Sequence, residues 1–179
     1  MGCDRLILPT MDALRGCAAR QFGACGRPVC RFSRYYADHA AVAVDCDCEC
    51  TQVGQHASGS AWVRWVQAQG SGVSKPAPCA GGSFTAVIEL GVHRCAPVMD
   101  DARQPIADET WERFTAGMMD DVAALRRAPM CCGFLGDNDL KWQLQQVQPS
   151  GPTGGCASAV ATISVEFVDC GCPEGVVRA

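Results

Sequence analysis

The chain lacks an apolar run approaching the ~20 residues a membrane helix needs, so no spanning helix is expected. A secretory leader is not expected either. The first residues, MGCDRLILPTMDALRG, hold one short apolar patch from Leu6 to Leu8, with Pro9 behind it and no small-residue cleavage site. Gly2 and Cys3 suggest lipidation, yet Leu6 stands where a myristoylation motif needs Ser or Thr. The expectation is a protein made and kept in a cytoplasm, with no membrane partner. An excess of positive charge is also missing: 15 Lys and Arg face 19 Asp and Glu, a net charge of −4. Only Arg27, Arg31 and Arg34 cluster, in a stretch that reads as a solvated loop, which argues against a nucleic-acid binder. No glycine-rich stretch leads into Lys followed by Ser or Thr, so no phosphate cradle is expected. Histidine is scarce, at His39, His56 and His93, and no internal repeat is visible.

What is present is a core. The 179 residues are 48% apolar and 19% charged, enough for a single domain spanning 1–179, with loose ends at 1–8 and 170–179. Fourteen cysteines stand out. Small secreted domains reach that density because bridges replace a core, whereas here a core is present and no leader is expected.

The most regular stretch is Ser83 to Ala128. Phe84, Ala86, Ile88, Leu90 and Val92 alternate with Thr85, Glu89 and His93, the period of a strand buried on one side. Trp111, Phe114, Met118, Val122 and Leu125 then recur at three- and four-residue spacing, which predicts a helix with one apolar stripe, stopped at Pro129. Before these, Pro9 to Phe22 reads as a helix with Met11, Leu14, Cys17, Ala18 and Phe22 on one face and Gly23 as its stop. Gly23 to Asp38 reads as a loop, His39 to Cys50 as a strand, Gly54 to Gly59 as a turn and Ala61 to Gln69 as a strand with apolar residues on both faces. A long loop follows from Gly70 to Gly82. After the second helix, Met130 to Leu135 leads into a GDND turn. Leu140 to Val147 and Cys156 to Asp169 read as strands joined by a wide hairpin loop at Pro149 to Gly155. In the last strand Ala161, Ile163, Val165 and Phe167 point inward and Thr162, Ser164 and Glu166 outward. Strands grouped and interrupted by single helices predict an α+β fold, a mostly antiparallel sheet with two helices packed on one face and long hairpin loops.

The candidate chemistry is thin. Cys46, Cys48 and Cys50, with Cys170 and Cys172, have C-x-C spacing, which on a strand separates the sulfurs by roughly 7 Å on one face. That spacing is awkward for a tetrahedral metal and too long for a direct bridge, so cross-strand disulfides or small apolar packing fit better. A zinc-binding interaction module on Cys46, Cys48, Cys170 and Cys172 is the weaker alternative. His93 lies two residues from Cys95, but with so many thiols such a pair arises by chance and predicts no thiol enzyme. Asp100 and Asp101 precede a helix, where carboxylates are common, and Asp120 and Asp121 read as a solvated helix face. No catalytic residue, metal or cofactor is therefore expected.

The order of elements, with TAVIELGVHR, DDVAALRRA and a final strand ending in TISVEFV, is similar to that of the tail terminators of long-tailed phages, proteins like minor tail protein U. ELGVHRCAPVMDD, DDVAALRRAPMCC and PSGPTGGC also resemble cysteine-rich neck proteins of actinobacterial phages, and the resemblance spans Pro9 to Cys172. It implies a homohexameric ring in the virion neck, assembled in the host cytoplasm. The ring would cap the tail tube protein on one side, meet a head-side stopper or connector on the other, and let DNA through its lumen without specific binding. Another head-to-tail connector subunit, a stopper or adaptor, is the alternative role. On that reading Trp62, Arg64, Trp65, Lys75 and Glu89 are the interface candidates, and cysteines reduced during synthesis would oxidise in the finished particle.

Overall fold

The computed structural model describes residues 6–36, 50–52, 55–70, 82–99, 105–153 and 155–169. Helix α1 runs Ile7–Ala24 and strand β1 Arg31–Tyr36. A small hairpin, β2 (Cys50–Gln52) and β3 (Gln55–Ala57), precedes β4 (Ser60–Gly70) and β5 (Gly82–Cys95). Helices α2 (Asp108–Met130) and α3 (Gly133–Asp137) lead into β6 (Lys141–Thr153) and β7 (Cys156–Asp169). The main sheet has the order β1-β4-β5-β7-β6, with β1 parallel to β4 and every other pairing antiparallel. The fold is thus α+β, with a mostly antiparallel sheet.

One face of that sheet carries the core. Ala61 and Val63 of β4, Ala86 to Val92 at alternate positions of β5, and Ala159 to Phe167 at alternate positions of β7 are buried together. Against them lie Met11, Leu14, Cys17, Ala18 and Phe22 of α1 and Met118, Ala124, Leu125 and Ala128 of α2, so both long helices cover the same face. Each full burial of a Leu, Ile or Phe side chain contributes about 1.5–3 kcal/mol, and the two stripes account for the packing.

Several expectations change. Helix α1 starts inside the expected loose end, at Ile7, because Pro9 falls in a first turn whose N–H groups have no helical partner. Thr10, also in that turn, donates its Oγ1 hydrogen to Leu6 O at 2.7 Å. The expected loop at 23–38 contains β1, whose mixed burial hides the strand period because it is an edge strand with Arg31 and Arg34 on opposite faces. The expected turn at 54–59 includes β3. Pro129 does not stop α2 but lies within its last turn, and the stretch after it folds into α3 before the turn.

The wide hairpin loop is also shorter than expected. Strand β6 continues through Pro149 and Pro152, which an edge strand tolerates, and Thr153 pairs with Cys156 across residues 154 and 155. Gly155 supplies the positive φ of 82° that this tight connection needs. Of the expected strand His39 to Cys50, all but Cys50 lies outside the described residues, as do the loop residues 71–81.

Candidate interaction surface

Cross-strand register decides which side chains meet on the sheet face turned away from the helices. Trp62 of β4 stands opposite Gly91 of β5, and Arg64 opposite Glu89. A Cβ on Gly91 would collide with the Trp62 indole, so the missing side chain is what lets the ring lie flat across the neighbouring strand. Trp62 is 4% exposed. Arg64 donates Nε to Glu89 Oε2 at 2.6 Å, and its guanidinium also sits 5.4 Å from the Trp62 ring centroid. On the other side of the indole, Trp62 Nε1 donates to His93 Nε2 at 3.1 Å. An indole N–H can only donate, so this bond requires an unprotonated His93 Nε2. Burial acts in the same direction and holds the His93 imidazole below its ordinary value.

Trp62, Arg64 and Glu89 are therefore brought together, with His93 as an unforeseen fourth member. Trp65 is not with them. It faces the helix side, where with Ile7, Leu8, Met11 and Tyr36 it lines an apolar groove of about 590 Å³. A register shift between Trp65 and Gln67 resets the alternation of β4, so that Ala68 again shares the face of Ala86. Lys75, Cys46, Cys48, Cys170, Cys172, Asp100 and Asp101 lie outside the described residues. Cys95, the cysteine nearest His93 in sequence, is in the disulfide state, as are Cys30 and Cys156. No group of three or more His, Cys, Asp or Glu that could hold a metal occurs among the described residues.

A second polar cluster lies on the core side and corrects the solvated reading of Asp121. Asp120 is exposed, but Asp121 is 0% exposed and forms a two-point ion pair with Arg94, itself 2% exposed. Arg94 Nε donates to Asp121 Oδ2 at 3.0 Å and Nη2 to Oδ1 at 2.7 Å. Its remaining hydrogens reach Arg27 O at 2.7 Å, Pro28 O at 3.3 Å and Ser58 O, so the guanidinium ties α2 to two chain segments. Arg27 Nη2 brings a third hydrogen bond to the Asp121 carboxylate, donating to Oδ2 at 3.0 Å. Gly59 passes beside this cluster with φ 77°, and a Cβ there would strike the His93 carbonyl and the Arg94 side chain. These bonds saturate the donors of Arg94, which marks the cluster as a structural clamp.

A scan of known protein families finds none that matches the chain, and a search of curated proteins finds no significant relative.

Proposed function

We propose that the chain is a non-enzymatic ring subunit of a phage neck, a tail terminator that ends the tail tube and joins tail to head. The observation that carries this reading is the organised outer face of the sheet. There a cation and a carboxylate, Arg64 and Glu89, are preset across β4 and β5, with the Arg64 guanidinium resting over the buried Trp62 ring. An Arg side chain held in place by its neighbours is what an interface uses, because little side-chain entropy remains to be lost on contact. The α+β architecture and the element order that resembles tail terminators support the same reading.

The mechanism is geometric. A closed ring needs a heterologous contact, in which one patch of each copy meets a different patch of the next. The outer face of β4 and β5 serves as one such patch. One ring surface then halts addition of tail tube protein, the other receives the head-side connector, and DNA crosses a lumen that does not grip it. A net charge of −4 suits that last role. Native mass spectrometry of the purified protein, together with a tail-tube polymerisation assay, tests the proposal. A discrete ring that stops tube growth is expected; a monomer at high concentration that leaves tube growth unchecked overturns it.

A further inference from the structure

We propose that the Cys17–Cys132 disulfide is a thiol-exchangeable clasp, with Cys17 as its leaving sulfur, that fastens α1 to the α2–α3 corner according to the thiol poise of the medium. The bridge joins positions 115 residues apart, with the two Cα atoms 5.5 Å from each other. Cys17 belongs to the apolar stripe of α1 between Leu14 and Ala18, and Cys132 is the residue that leads into α3. Both are buried, so the bond fixes the helix layer from inside.

The two sulfurs are not equivalent. Arg20, one helical turn beyond Cys17 and itself on the exposed side of α1, donates Nη2 to Cys17 Sγ at 3.1 Å. A guanidinium in that position stabilises negative charge on the Cys17 sulfur, as it does for thiolates generally. Among the described residues no side chain donates to the Cys132 sulfur. Since both sulfurs are buried, exchange requires local opening of this corner. Since it is faster when the departing thiolate is the better stabilised one, attack in the opened corner is directed at Cys132 and the bond opens toward Cys17. The neighbouring Cys131 is exposed and unbridged, and so reports solvent access to the same corner independently of the clasp.

The chemistry closes with a low-molecular-weight dithiol as reductant. One of its thiolates attacks the Cys132 sulfur; a new S–S bond forms, the Cys17–Cys132 bond breaks, and its electron pair leaves on Cys17 beside Arg20. The second thiolate of the reagent attacks its own sulfur in the mixed disulfide and releases Cys132. The dithiol is oxidised by two electrons, the cysteine pair is reduced by two, and protons from the medium complete the thiols. The reverse sequence, with the oxidised reagent, closes the clasp. Nothing in this inference depends on the ring reading.

The test is a timed reduction with dithiothreitol of the intact protein, its free thiols first blocked with one alkylating agent and the released ones trapped with another. Peptide mass spectrometry then follows each cysteine. In Arg20→Gln the opening of Cys17–Cys132 is expected to slow by roughly three- to tenfold. Cys30, Cys95 and Cys156 should be released at unchanged rates, and Arg20→Lys should recover most of the lost rate. Equal opening in wild type and Arg20→Gln overturns the proposal. So does a uniform slowing of all bridges, which would mean a change in global opening, or labelling of Cys17 before reductant is added.

Discussion

Asp121 shows how one residue can be misjudged by composition and still be readable by position. Its carboxylate sits among Arg94, Arg27 and the helix stripe, fully removed from water. Replacing one member of such a pair leaves the other charge buried and unpaired, at a cost of about 3–5 kcal/mol. Asp121→Asn is therefore expected to lower the unfolding free energy by about that amount in urea denaturation, while Asp121→Leu with Arg94→Met together should cost less than the two singles added. His93 makes a prediction of the opposite kind, in pH rather than size. Its folded imidazole is held below the ordinary value of 6.5, so the unfolded chain binds the proton more readily. The stabilisation is complete above about pH 6.5 and declines as pH falls from there toward the lower folded value. Melting temperatures across a pH series should show this slope in wild type and its loss in His93→Gln. A slope unchanged by that substitution would assign the effect to another group.

At the scale of elements, the paired strands β4 and β5 both hold the core and present the outer face, and the two roles can be separated. Arg64 and Glu89 face each other across the strands, so exchanging them as Arg64→Glu with Glu89→Arg keeps an opposite-charge pair in place. Cross-strand pairs of this kind contribute about 0.2–1 kcal/mol, and the swap should change monomer stability by no more than that. The charge pattern offered to a neighbouring copy is nevertheless reversed. On the ring proposal the swap abolishes assembly, measured by native mass spectrometry, with melting of the monomer almost unmoved. Retention of the full assembly in the swapped protein would place the contact elsewhere on the molecule. The helices show the complementary case: the stripes of α1 and α2 were readable because a 3.6-residue period over several turns leaves little choice of buried face. Strand β1 was not readable, because Arg34 lies on the helix side and pairs with Asp12 of α1 at 2.8 Å, which removes the alternation.

For the molecule as a whole, the two kinds of information divide cleanly. The interface candidates Trp62, Arg64, Trp65, Lys75 and Glu89 came from the family resemblance, whereas alternation in β5 and β7 and the two helix stripes determined the fold class and the identity of most core residues. These follow from local periodicity, which the chain carries without reference to distant residues. Even the clamp left a trace there: Arg94 has the parity of Val92 and Leu90, and Asp121 lies three residues after Met118 and four before Leu125. A charge at a core position on the strand and its opposite on the helix stripe imply each other. Only the tertiary structure could decide that these two groups meet, that His93 rather than Trp65 completes the outer cluster, and that Cys17 is bonded to Cys132 across 115 residues. Pairing and register are relations between segments. They are set by how the sheet and helices close on one another, and no periodicity within a single segment contains them.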